Sequence, residues 1–226
     1  MNELLYGAWL VARKDLRIEL RTGEVTMTTA LFAFLTVVIA SLSLYLDRNQ
    51  AASVAPGVLW ISITFAGVLA MGRSWARERE NDALRGLLLS PLPRASIYLG
   101  KTLSSFVFLV AVEVLVLPVV TLFFHLDLSE TWPAIVAFLL LGTLGFVAAG
   151  SLFSALTVKS RARDLLLSVV LFPLVSPALL SSVVATRDIL GGAELETAIG
   201  WVELLVAFDL TFLAAGLLLF EPLTSD

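Results

Sequence analysis

The chain carries six nearly uncharged apolar stretches, at residues 26–46, 55–72, 102–124, 133–157, 165–185 and 200–220. Each is close to the roughly 20 residues that an α-helix needs to cross the hydrocarbon core of a bilayer. Across the 226 residues 58% are apolar and 15% charged, against about 45–50% and about 25% in an ordinary soluble domain. Mean hydropathy is +0.94. The expected fold class is therefore all-α: a polytopic membrane protein with six transmembrane helices forming one transmembrane domain over residues 1–226. What lies outside the spans is too little for a nucleotide-binding or catalytic domain of about 100 residues or more. Any ATPase serving this chain is expected to be a separate protein.

The basic residues set the expected topology. Four lie in the N-terminal segment (Arg13, Lys14, Arg17, Arg21), six between spans two and three (Arg73, Arg77, Arg79, Arg85, Arg94, Lys101) and three between spans four and five (Lys159, Arg161, Arg163). Only Arg48 and Arg187 fall on the other side. By the positive-inside rule both termini face the cytoplasm, and the outer loops, with Asp127, Glu130, Asp188, Glu194 and Glu196, are short and acidic. Tyr45, Trp132 and Trp201 then mark the outer interface, and Trp75 and Tyr98 the inner one. Residues 1–25 contain no apolar run followed by small residues, so the first span is expected to act as its own insertion signal. Residues 4–21 are too charged to span. Leu5, Trp9, Ala12, Leu16 and Leu20 nevertheless recur at helical spacing, while Arg13, Arg17 and Arg21 recur every fourth residue. That pattern predicts an interfacial elbow helix whose cations reach anionic headgroups.

Most chemistry is excluded by inventory. Cysteine is absent, which removes disulfides, thiolate metal sites and cysteine nucleophiles. Ala95 to Thr102 (ASIYLGKT) resembles a phosphate loop, but Ala95 stands where glycine is needed and the segment runs directly into a span. Lys101 is better read as an inner-interface anchor. Gly150-Ser151 suggests a serine nucleophile, yet the sole histidine, His125, belongs to the other end of the spans. The small pairs Gly145 with Ala149 and Gly150 with Ser154 read instead as close helix contacts. His125 with Met1, Met27 and Met71 offers no evident axial pair for haem. No catalytic, metal or directly bound cofactor site is expected. Pro118, Pro173 and Pro177 bend spans three and five.

Two acids remain. Glu113 lies near the middle of span three and Asp209 near the middle of span six, where an ionised carboxylate costs about 2.5–3.5 kcal/mol on insertion scales. They either line a polar path or couple a proton, or they are protonated carboxyls hydrogen-bonded to Ser or Thr of a neighbouring helix. Glu203 is an outer-interface acid.

The one sizeable loop, residues 73–101, is the most informative segment. WARERENDALRGLLLS (Trp75 to Ser90) is helical in pattern, with Leu84, Leu87 and Leu88 on an apolar edge and Arg77, Glu78, Asp82 and Arg85 presenting mixed charge. Such a helix either lies on the membrane surface or docks on a soluble partner.

KDLRIELRTGE (Lys14 to Glu24), APGVLW (Ala55 to Trp60) and ERENDALRGLLLSPLPRASIYLGK (Glu78 to Lys101) resemble the CcmB family, the permease subunit of the cytochrome c maturation ABC complex. The likeness covers essentially the whole chain. It implies an ABC-2 exporter-like membrane subunit with an elbow helix and a cytoplasmic coupling helix at about 75–90, whose Arg77, Glu78, Asp82 and Arg85 contact the ATPase. It further implies a bacterial inner-membrane location and ATP bound on a CcmA-like ATPase, with two copies of each chain. CcmC-, CcmD- and CcmE-like proteins and the lipid bilayer are the other partners; nucleic acid is not one. The complex would handle haem and release the haem-loaded chaperone. Other readings on the same architecture are an exporter of lipid, drug or polysaccharide, and an assembly scaffold that needs no ATP.

Overall fold

A computed structural model describes residues 2–44, 48–80, 83–157 and 163–224. Among the described residues eight helices follow one another: α1 (Asn2–Thr22), α2 (Glu24–Leu44), α3 (Arg48–Glu80), α4 (Ala83–Leu89), α5 (Arg94–Phe123), α6 (Trp132–Thr157), α7 (Arg163–Leu190) and α8 (Leu195–Thr224). Six of them, α2, α3, α5, α6, α7 and α8, are long and apolar enough to cross a membrane. The chain is a polytopic all-helical membrane protein. Each of these helices carries one of the six expected spans, of which 102–124 passes the end of α5 by one residue and 26–46 runs beyond the described residues of α2. Tyr45, Asp82, Lys159 and Arg161 lie outside the described residues.

The helix that contains the second expected span continues past residue 72, because RSWARERE (73–80) contains no glycine or proline and extends α3 to 33 residues, or about 50 Å at about 1.5 Å per residue. Of the expected coupling helix at 75–90, residues 75–80 belong to α3 and residues 83–89 are the 7 residues of α4. Ser90 closes α4 by donating its hydroxyl to the Leu87 carbonyl at 2.6 Å, and Pro93 stands at the N-cap of α5.

Helices α3 and α6 form the centre, while α2 and α8 bury little of their surface. Small residues let α6 approach its neighbours. A Cβ at Gly145 would meet Asp209 and Phe208 of α8, one at Gly150 would meet Met71 of α3, and one at Gly142 would meet Ser182 of α7 and Trp60 of α3. Gly145 and Gly150 thus serve the close helix contacts read from the sequence. Trp60 Nε1 also donates to Thr186 Oγ1 at 3.1 Å, tying α3 to α7.

Both chain ends meet at one end of the bundle. Ser96 donates to the Leu4 carbonyl at 2.9 Å, and Arg94 donates to Thr224 Oγ1 at 3.2 Å. A second apolar core sits there, built from Trp75, Ile97, Tyr98, Leu152, Ala155 and Phe220. Trp75 and Tyr98 are thus core residues, 1% and 0% exposed, and not an aromatic belt. The Tyr98 hydroxyl lies 3.1 Å from the carbonyls of both Ala148 and Phe212, bridging α6 and α8.

Candidate functional site: an ion-paired junction at the shared end of the bundle

The elbow expected at residues 4–21 is α1, and its inward face is not the apolar stripe. Ala8, Val11 and Ala12 are buried together with Asp15 and Glu19, whereas Leu5, Trp9 and Leu20 are exposed. Gly100 of α5 makes the approach possible: a Cβ there would come within 2.6 Å of Val11 Cβ and 2.7 Å of the Ala8 carbonyl. The close packing brings the two acids of α1 against the ends of α3 and α5.

Four charges form a closed ring of alternating sign. Lys101 Nζ lies 2.8 Å from Asp15 Oδ2 and 2.6 Å from Glu78 Oε1. Lys14 Nζ lies 2.5 Å from the same Glu78 oxygen and 3.2 Å from Asp15 Oδ1. The ring joins α1, α3 and α5, and Ser104 adds a hydrogen bond to Asp15 at 3.3 Å. Lys101 is 1% exposed and sits 5.6 Å from the centre of the Trp75 ring, where an ammonium meets the negative face of an indole. Its expected role as an interface anchor is overturned: burial that deep is tolerable for an ammonium only with two carboxylates replacing its water. Burial works against the charge of Lys14, but Asp15 and Glu78 outweigh it and hold that ammonium above its ordinary pKa.

One turn further along α1, a second set begins. Glu19 accepts from Arg77 at 3.2 Å and from the backbone N–H of Thr26 at 2.7 Å. The second bond fills an otherwise orphaned donor in the first turn of α2. Glu24 pairs with Arg73 at 2.9 Å and with Arg77 at 3.5 Å. Gly23, with φ of +62°, is the left-handed residue that lets α1 end and α2 begin without a linker. A cavity of about 30 Å³ lined by Asp15, Ser74, Arg77 and Glu78 lies between the two sets.

The residues singled out for partner contact are placed differently from one another. Glu78 is 4% exposed and turned into the ring, and Arg77 is engaged with Glu19 and Glu24. Arg85 belongs to α4. The sequence reading missed Asp15 and Glu19 as site residues. Their spacing of four on a helix otherwise basic and apolar was the available signal, since it places both on a face separate from Arg13, Arg17 and Arg21.

Glu113 and Asp209 are both buried within the spans, and they do not share a partner. Glu113 accepts from the Thr143 hydroxyl, joining α5 to α6. Asp209 abuts Gly145 on the other side of α6, since positions two apart on a helix point about 200° apart. Neither oxygen of Asp209 has a hydrogen-bond partner among the described residues.

His125 ends α5. It adopts φ of 52°, and the next residue, Leu126, donates back to the Thr121 carbonyl at 3.0 Å, a helix stop usually made by glycine. It lies at the end where α6 starts, whereas Ser151 is about 28 Å along α6 from Trp132 at about 1.5 Å per residue. No Ser–His pair can form. Among the described residues no group of three or more His, Cys, Asp or Glu could hold a metal ion, and Met71, buried against Gly150, is remote in environment from the exposed Met27.

Comparison with known proteins gives a family to this architecture. A family model described as CcmB protein matches residues 7–220, which takes in most of the elbow, the junction and all six expected spans. The chain belongs to the CcmB family. Heme exporter protein B of Paracoccus denitrificans (strain Pd 1222) is 30% identical over 186 residues, covering 82% of this chain and 85% of the relative. Heme exporter protein B of Pseudomonas aeruginosa (strain PAO1) is 27% identical over 212 residues, covering 92% and 94%. The Escherichia coli (strain K12) protein of the same name is 27% identical over 179 residues, covering 78% and 80%. The family assignment agrees with the resemblance carried by the N-terminal, second-span and loop motifs.

Proposed function

We propose that this chain is the permease subunit of a haem-exporter-type ABC complex serving cytochrome c biogenesis. A separate CcmA-like ATPase hydrolyses ATP, and this chain, itself non-catalytic, transmits the motion. Its family and the names of its relatives support the haem-related role. The thirteen-to-two distribution of basic residues supports a bacterial inner-membrane orientation with both termini in the cytoplasm. Haem is then cargo handled by the assembly, with CcmC-, CcmD- and CcmE-like proteins, around a core of two copies each of ATPase and permease.

The observation that carries the coupling role is the position of the ion-paired junction. α4 is followed by α5 and preceded by the long α3, and both of those helices are locked to α1 by the ring of Glu78, Lys101, Asp15 and Lys14, with Glu78 near the end of α3 and Lys101 in the first turns of α5. A push delivered to α4 cannot move α3 alone, because separating the ring strands buried charges at a cost of about 3–5 kcal/mol. It moves α1, α3 and α5 together. Arg85 and Asp82 supply charge for docking, Arg77 and Glu78 brace the junction behind them, and a haem-loaded chaperone is released at the far end of the cycle.

The test is a tagged full-length chain, co-expressed with the ATPase and the other maturation proteins and purified in mild detergent. Recovery of the ATPase, with chaperone release that stops when the ATPase is hydrolysis-dead, is the expected result. Full chaperone release with a hydrolysis-dead ATPase would replace coupling with scaffolding, and recovery without any ATPase would overturn the reading.

A further inference from the structure

The cavity of about 30 Å³ between the two ion-paired sets has walls of two kinds. Ile18 of α1, Val25 of α2 and Phe108 of α5 are apolar, whereas Asp15 of α1 and Ser74, Arg77 and Glu78 of α3 are polar. Glu78 is 4% exposed, and its two oxygens are treated differently. Oε1 receives both lysines of the ring, Lys14 and Lys101. Oε2 is buried and has no hydrogen-bond partner among the described residues. A charged acceptor left in that condition bears the full penalty of its lost hydration.

Volume, polarity and charge balance together select what satisfies it. The space exceeds the roughly 10–15 Å³ that a single water needs and is too small for an organic ligand. Because the orphaned atom is an acceptor, the occupant must donate a hydrogen bond. It must also be neutral. Asp15, Glu78 and Glu19 are already matched by Lys14, Lys101 and Arg77, so a metal ion would meet those fixed cations with no acid to spare. A buried water wants about two to four polar partners, and the Asp15 carboxylate, the Ser74 hydroxyl and the Arg77 guanidinium stand around the same space as Glu78.

We propose that this cavity is a water site, in which a buried water donates to Glu78 Oε2 and is held by the polar side chains of Asp15, Ser74 and Arg77. The water joins the ring to the Glu19–Arg77 pair, so that the two sets respond as one network.

Glu113 supplies an internal control, since it is also 4% exposed but is satisfied by the Thr143 hydroxyl. The full-length chain, carrying isotope-labelled glutamate, is placed in lipid bilayers, and magnetisation passing from water to each carboxylate carbon is followed by solid-state NMR. The two signals are assigned by their loss in E78Q and E113Q. Build-up at Glu78 is expected to be several-fold faster than at Glu113. V25I, which adds a methyl group to the cavity wall, should slow Glu78 to the Glu113 rate, while V25A, which leaves the space open, keeps it fast. Equal rates at Glu78 and Glu113 in the parent chain would overturn the proposal. A fast rate that persists in V25I would overturn it in favour of transfer relayed through the ring lysines, and an equal loss in V25I and V25A in favour of an effect of packing alone. A higher melting temperature for V25I would also overturn it, because filling a dry cavity stabilises, whereas displacing a hydrogen-bonded water does not.

Discussion

Lys101 has 1% of its surface exposed, and its stability rests on two carboxylates held by other helices. Removing it as Lys101→Met leaves Asp15 and Glu78 facing Lys14 alone, so the fold should lose about 3–5 kcal/mol, the usual cost of stranding a buried charge. The double variant K101M with E78Q keeps the Lys14–Asp15 pair without the extra charge and should recover a large part of that loss. Thermal unfolding of the purified chain in detergent measures both, and additive losses would contradict a closed ring. Lys14 responds to pH in a defined direction. Its folded pKa is raised above the ordinary 10.5, so its contribution is full below that value and is lost as pH rises through the folded pKa. An alkaline melting series should therefore show a decline above about pH 10.5 that Lys14→Met lacks. At the other end of α5, His125 occupies a left-handed position at a steric cost that glycine avoids. H125G should raise stability by about 0.5–1 kcal/mol, measured in the same melts; a fall would mean that the imidazole makes a contact that matters.

At the scale of helices, apolar length alone located all six spans, because a run near 20 uncharged residues has no other stable use. It located their ends less well. Residues 73–80 are strongly charged and so read as lying beyond the span, with a helix of its own from Trp75, yet Arg73, Arg77 and Glu78 extend α3, since their charges are matched by Glu24, Glu19, Lys14 and Lys101 from other elements. No local pattern reveals such a partner. Trp75 and Tyr98 were misplaced for the same reason: an aromatic near a span end suits an interface, and only the packing of α6 and α8 against them makes a core. By contrast the small residues of α6 were legible as contacts, because a missing Cβ has meaning only where another helix comes close. Gly100 extends that logic to the elbow. Any side chain there meets Val11 and the Ala8 carbonyl, and a backbone oxygen cannot swing away as a side chain can. Gly100→Leu should therefore lift α1 from α5 and open the ring, which limited proteolysis of the N-terminal segment in native membranes reports as faster cleavage. An unchanged rate would mean that α1 is held without this contact.

For the molecule as a whole, the junction and the proposed docking helix are separable by mutation. Arg73, Arg77 and Glu78 brace the bundle before α4, while the proposed function gives Arg85 of α4 to the partner. Charge reversal at each place should then fail differently. Arg77→Glu sets a third carboxylate beside Glu19 and Glu24, which now lie 3.2 and 3.5 Å from its guanidinium, so it should lower the melting temperature of the isolated chain and reduce the amount inserted. Arg85→Glu changes α4 and, on the docking role proposed for it, should leave melting of the isolated chain within the small range of ordinary surface changes, about 0.5 kcal/mol. Its loss should appear only in the assembly, as reduced ATPase recovery and slower chaperone release. The two readouts are independent, since one needs no partner and the other is normalised to folded permease. If R85E captured the ATPase as well as the parent chain while R77E, at equal folded amounts, did not, the docking surface would lie on the end of α3. Motion would then enter the bundle through the ion-paired ring itself, with α4 serving only to return the chain to the membrane.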